Sequence, residues 1–340
     1  MAGAFQLTNG AHLDATNGTS ITSIDGGGGT VGLQATGGST ATVSNSSIIG
    51  SGGGNIGLQV TGAGSAATMI NASVEGSGLG SGDTGISVSS GGTVTGAGGS
   101  ILASGAGGDT GLSVTGASAT LTNTALTTTG PGDTGVSMQG GNATVSMTGG
   151  SVETKGSSGQ AIFVTGTNTN LGTFNGTSVK SDTGNGILAQ GTAFSTLNFT
   201  NGATLIGGNG TLLLDQAGGT VNLNGTIDVN FTGNINATGA SGTANVTLTD
   251  NSTLTGAINQ NLLTGASGII PADPFPFQNL PKQNVNLAVD GTSTWTMTAS
   301  STLNNLNVSR GAQIGAPTPS PILTTGSLHS TTGHIQEASR

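Results

Sequence analysis

A short motif, in which a glycine or other small residue precedes apolar-x-apolar, returns along the chain about every 25 residues. It reads Val31-Gly32-Leu33-Gln34-Ala35, Ile56-Gly57-Leu58-Gln59-Val60, Thr84-Gly85-Ile86-Ser87-Val88, Thr110-Gly111-Leu112-Ser113-Val114 and Thr134-Gly135-Val136-Ser137-Met138. Looser copies follow at Gln160-Ala161-Ile162-Phe163-Val164 and Asn185-Gly186-Ile187-Leu188-Ala189. The small residue stands at 32, 57, 85, 111, 135, 161 and 186, so the spacings are 25, 28, 26, 24, 26 and 25. A fixed period of this length marks a repeat architecture in which each unit packs on its neighbours.

Each copy is followed by two further short alternating runs, such as Ala119-Thr-Leu-Thr-Asn123 and then Thr124-Ala-Leu-Thr-Thr128. Period-two alternation is the signature of half-buried strands. The Gly, Asn and Ser between them suit corners that need positive φ. Three short strands per repeat make one coil of a right-handed parallel β-helix, a three-faced β-solenoid. Each strand should pair with its equivalent one coil away, so Ile86, Leu112 and Val136 form one buried column and Val88, Val114 and Met138 another. An antiparallel sandwich would show hairpin turns every 8–12 residues without this period.

Composition agrees with a narrow core and excludes several functions. Glycine supplies 65 of 340 residues, and charged residues are only 6%, against roughly 25% in ordinary domains. Low charge with abundant Thr, Val and Ile favours β-structure over disorder. Five Lys plus Arg and a net charge of −9 leave too little positive charge for nucleic acid or an anionic membrane surface. Without cysteine there are no thiolate metal sites and no cysteine nucleophile. The residues after Met1 carry no basic segment followed by an apolar run, so no signal peptide is read there. No run of about 18 apolar residues suggests a transmembrane helix.

The regular register holds from Val31 to about Ala189 and then loosens. Strand character persists at Ser195–Thr200, Thr220–Asn224 and Ala244–Thr249. Four prolines between Ile269 and Pro281 cannot sit in interior strands. The expected division is therefore a stalk over 1–265, a protruding Pro/Phe-rich loop over 266–283, final coils over 284–315 and a polar, disordered tail over 316–340.

The final coils carry a family resemblance. Ser293, Trp295, Met297, Thr298, Ser301, Leu303, Leu306, Val308 and Gly311 follow the pattern S-x-W-x-apolar-T, S-x-apolar, L-x-apolar, glycine turn. This resembles the passenger domain end of pertactin-like autotransporters (type V secretion). The upstream Val246–Ile258 also looks like that family's coil. The resemblance implies a β-helical passenger at the bacterial cell surface or outside it, outer membrane-associated through a C-terminal barrel that this chain does not include. It also implies an autochaperone role for the terminal coils, with Trp295, Met297, Leu303, Leu306 and Val308 as structural residues. Beyond Ile314 the sequence departs from the pattern, with Gly-Ala-Pro-Thr-Pro-Ser-Pro and a polar tail.

Candidate chemistry is sparse. Asp83, Asp109 and Asp133 recur in Gly-Asp-Thr-Gly at one repeat position. They read as a stacked acidic ladder at an exposed, solvent-screened corner, where Asp bonds the backbone two residues on; the alternative reading is a cation ladder or a catalytic carboxylate pair. The three histidines, His12, His329 and His334, lie near the chain ends and do not suggest a Ser/His/Asp triad. No cofactor or metal is indicated. Thr-x-Thr runs at 40–42, 93–95 and 120–122, with Thr144-Val-Ser146 as a fourth copy and Met69 as an interruption, raise the ice-binding reading beside the ordinary preference of exposed strands for Thr. The Asn-x-Thr/Ser triplets are those expected by chance in so Asn- and Thr-rich a chain.

The leading expectation is a non-enzymatic, adhesin-like, virulence-associated passenger. It would offer Phe275 and Phe277 of the loop to a host surface receptor or glycan, with no nucleic-acid partner. The alternatives are a carbohydrate-active β-helix enzyme, a lyase or hydrolase, and an ice-binding solenoid.

Overall fold

The structure, a computed structural model, describes residues 2–24, 29–216, 218–238, 242–259, 284–316 and 323–330. The strands described lie in parallel pairs, and no helix occurs among the described residues. Successive strands fall on three faces in rotation, which makes the chain the three-faced parallel β-solenoid that the repeat implies. Thr84–Ser89, Thr93–Ala97 and Ser100–Ser104 form one coil. The next coil consists of Thr110–Thr115, Ser118–Thr122 and Ala125–Thr128. Each strand pairs in parallel with its equivalent: Ile86 with Leu112, Thr95 with Thr120, Ile101 with Leu126. The second face alone contains thirteen strands among the described residues.

Stacking turns the inward positions into continuous apolar columns. On the first face the column runs Leu33, Leu58, Ile86, Leu112, Val136, Ile162 and Ile187, in register at every step and each 0% exposed. On the third face it runs Ile101, Leu126, Val152, Val179, Leu205, Phe231, Leu254 and Trp295. Large and small side chains complement each other on the second face. Phe174 stacks on Phe199 with ring centroids 4.8 Å apart, and the next place up is Gly225. Phe231 from the third face reaches into that space, meeting Phe199 edge-on at 5.4 Å.

Corners follow two rules. Asn45, Asn71, Asn123 and Asn201 turn the chain from the second face to the third with φ between 48° and 54°, the left-handed region that asparagine tolerates. At the opposite corner the repeat's glycine is needed for close approach. A Cβ on Gly85 would stand 2.7 Å from the carbonyl oxygen of Gly111 and 2.6 Å from Ile101 Cγ2.

The looser half keeps the architecture. Thr204–Asp215 is a single 12-residue strand that serves two faces, pairing with Ser178–Ser181 at one end and Ile187–Ala189 at the other. The Pro-rich segment falls outside the described residues, but both flanks of it are placed. Val285–Val289 pairs directly with Thr243–Thr249, Val246 opposite Leu287. The 41 positions separating them therefore add no coil between these two strands. One expectation is corrected: residues 323–330, assigned to a disordered tail, form a strand that pairs with Ser301–Val308. Its Leu328 aligns with Leu306 but is 46% exposed.

Candidate functional site

The acidic ladder exists, but it is not at an exposed corner. Asp83, Asp109 and Asp133 are in register on successive coils and each is 0% exposed. Their side chains point inward and bridge between coils. Asp83 Oδ1 accepts the Asn55 N–H at 2.7 Å, Asp109 Oδ1 accepts the Asp83 N–H at 2.9 Å, and Asp133 Oδ1 accepts the Asp109 N–H at 2.9 Å. Asn55 extends the column downward, accepting from the Thr30 N–H and hydroxyl at 3.0 and 2.9 Å. A local Asx turn is thus replaced by an internal column that caps strand starts. Burial pushes the Asp109 carboxyl above its ordinary range and lifts Asp133 to about 6, with the preceding aspartate adding to the rise and backbone N–H donors opposing it. These carboxylates have no contact with solvent through which a polymer could reach them. Among the described residues, no group of three His, Cys, Asp or Glu side chains could hold a metal ion.

The residues of the terminal motif pack together in the last described coils. Trp295 is fully buried and its indole Nε1–H donates to the Gly256 carbonyl at 3.0 Å. Met297, Leu303, Leu306 and Val308 are all at most 6% exposed. Ser293 and Ser301, also buried, hydrogen-bond to the coil below, through Ser252 N–H at 3.2 Å and Ile258 N–H at 3.1 Å. Phe275 and Phe277 lie outside the described residues.

The outward second face carries one unbroken hydroxyl column: Thr42, Thr68, Thr95, Thr120, Ser146 and Thr173. Met69 does not interrupt it, because Met69 points inward at 2% exposure and Thr68 holds the outward place. The flanking columns are broken by Ala66 and Leu171 on one side and by Ile70 and Ala97 on the other. A two-dimensional hydroxyl lattice is therefore absent over these coils. Further along, amides take over: Asn245 donates to Asn222, and Asn286 to Asn245, each at 2.8 Å.

His12 forms a relay of triad type. Its Nδ1 lies 2.6 Å from the Thr40 hydroxyl and its Nε2 lies 3.1 Å from Asp14 Oδ1. The imidazole stands exposed on His12–Thr16, the first strand of the thirteen-stranded sheet, which pairs on one side with Thr40–Ser44.

Two surface features lie outside the repeat's inward columns. Phe163, Leu188 and Leu214 stack in register on the outer side of the first face, half-buried, where earlier coils carry Gln34, Gln59 and Ser87. The signal was present, since Phe163 occupies the x place of apolar-x-apolar. A shallow open groove of about 410 Å³ also follows the second-to-third corner, lined by Asn45, Ser46, Asn71, Ser73 and Ser100. Its lining carries no charged side chain.

No protein-family model matches the chain, and no curated protein sequence matches it either. Among solved structures it is similar to the crystal structure of the autotransporter UpaB from E. coli strain CFT073, at 16% sequence identity and a TM-score of 0.48, over 96% of this chain and 81% of that one.

Proposed function

We propose that this protein is the passenger of an autotransporter: a non-enzymatic, adhesin-like scaffold that is displayed on the bacterial surface and holds contact elements away from it. One observation carries the reading. Ser293, Trp295, Met297, Ser301, Leu303, Leu306 and Val308, the residues that resemble the family's terminal coils, are all buried in the last coils of the stack. A motif that coincides with the packing of a coil is more specific than composition.

The contact element in this reading is the loop with Phe275 and Phe277, and the partner is a host receptor or a neutral glycan. The uncharged groove along Asn45 and Asn71 supports a neutral partner, because it offers amides and hydroxyls to sugar hydroxyls. Virulence association follows only from adhesion.

The test is a display fusion. The chain is placed between a signal peptide and an outer-membrane autotransporter barrel in a Gram-negative host. Added protease should then release a folded fragment from intact cells, and Phe275→Ala/Phe277→Ala should lower binding to epithelial cells severalfold without changing display. A chain that stays in the periplasm would sink the passenger reading. Unchanged binding by a displayed double variant would remove the loop as the contact element.

A further inference from the structure

We propose that the aspartate column is a proton store: the folded coils keep Asp109 and Asp133 largely neutral in mild acid, and the solenoid loses stability as these protons leave toward neutral pH. The geometry argues for it. One oxygen of each carboxyl is committed to a backbone N–H of the coil below. The second oxygen of Asp83 and that of Asp109 are buried without a hydrogen-bond partner, whereas that of Asp133 accepts the Gly130 N–H. An ionised carboxylate there would hold charge on an unsolvated oxygen, which costs several kcal/mol when no cation compensates. Its neighbours one coil away, about 4.8 Å distant, would carry the same sign. The neutral acid removes the charge from that oxygen and the repulsion between neighbouring coils.

The surroundings supply no counter-charge. Among the described residues of the strands packed around the column, the titratable groups are Glu75, half-buried in register with Ile49 and Leu102, and Glu153, which points outward to Lys180 at 2.8 Å and Lys155 at 3.2 Å. Lys180 also pairs with Asp182 at 3.0 Å. Below the column stands Asn55, a neutral donor to Asp83 at 3.1 Å. Above it the equivalent place is Gly159, since Thr134 pairs with Gln160. The corner is also shaped for the carboxyls: a Cβ on Gly105 would stand 2.5 Å from Asp83 Oδ2, and one on Gly130 would stand 3.0 Å from Asp109 Oδ2. The raised titration of Asp109, and of Asp133 to about 6, fits this picture. In so tight a stack the protons belong to the column rather than to one residue.

The sign follows from linkage. Between the ordinary aspartate range near 4 and the folded value near 6, the native state binds more protons than the unfolded chain. Stability contributed by the column is thus complete below about pH 4 and is lost as pH rises through 6. Lowered groups such as Glu153 act in the opposite sense, so the column must be isolated by substitution.

Denaturant unfolding measured from pH 4 to 7.5 provides the test. The variant Asp83→Asn/Asp109→Asn/Asp133→Asn should lose a pH-dependent rise in the unfolding constant of about 100-fold, two pK units being two decades. The same pH slope in wild type and variant overturns the proposal. Carboxyl carbon NMR on wild-type protein labelled at aspartate needs no variant. At least one midpoint near 6 is expected, and every aspartate titrating below about 4.5 overturns it. A calcium-dependent rise in Tm at neutral pH that vanishes in the triple variant also overturns it, by placing a cation between the carboxylates.

Discussion

At the residue scale the interior and the exterior of a strand make different demands on adjacent side chains. Ile162 is fully buried, whereas Phe163, the next residue, is half-exposed. Ile162→Ala should destabilise the protein by about 2–5 kcal/mol. Phe163→Ser should change stability by under about 1 kcal/mol, near the range of ordinary surface substitutions. Chemical denaturation of the two variants checks the contrast, and equal losses would mean the register is shifted by one. The repeat's glycine is as constrained as its apolar residues. Gly85→Ala should cost about 1–3 kcal/mol, because the added methyl would meet the Gly111 carbonyl, and backbone oxygens cannot move aside as side chains can.

Elements were more legible in the sequence than side-chain directions. The apolar-x-apolar runs located the first-face strands, and the columns Ile86–Leu112–Val136 and Val88–Val114–Met138 were readable because parallel register repeats the period. The aspartate column was readable as a stack but not as buried. Counting back in twos from Val88 and Ile86 places Asp83 on the outside. The strand Thr84–Ser89 breaks that parity with two consecutive buried places, Gly85 and Ile86, since the chain there swings in from the third face. A turn motif and an internal cap share the letters Asp-Thr-Gly, and only the corner geometry separates them. The strand at 323–330 was obscured by three prolines between Ala316 and Ile322. The last coils rest on Trp295. Trp295→Ala should cost about 3–5 kcal/mol and strand the Gly256 carbonyl. Hydrogen exchange should show protection lost over 285–308 and retained over 84–139, because a solenoid transmits damage mainly to adjacent coils. Uniform loss would instead show that the whole stack unfolds as one unit.

The whole molecule behaves as a stack with one break in sequence and none between the strands that flank it. Val285–Val289 rests on Thr243–Thr249 as if they were consecutive. Replacing residues 260–283 with a short Gly/Asn turn should therefore leave the far-ultraviolet spectrum unchanged and move Tm by only a few degrees, as loop-closure entropy grows slowly with length. A collapse of the C-terminal coils on deletion would show that the segment is part of the packing.

The constant register has a further consequence for how such a chain can form. Leu33 meets Leu58, Leu58 meets Ile86, and Ile86 meets Leu112. No inner residue of this column waits for a distant part of the sequence; each needs only the coil beside it. Loop closure therefore costs nearly the same at every step. A chain that emerges end-first through a narrow opening can then wind up as it arrives. Each coil that locks onto the last one forbids the emerged length from slipping back, so folding itself acts as a ratchet that advances by one coil at a time.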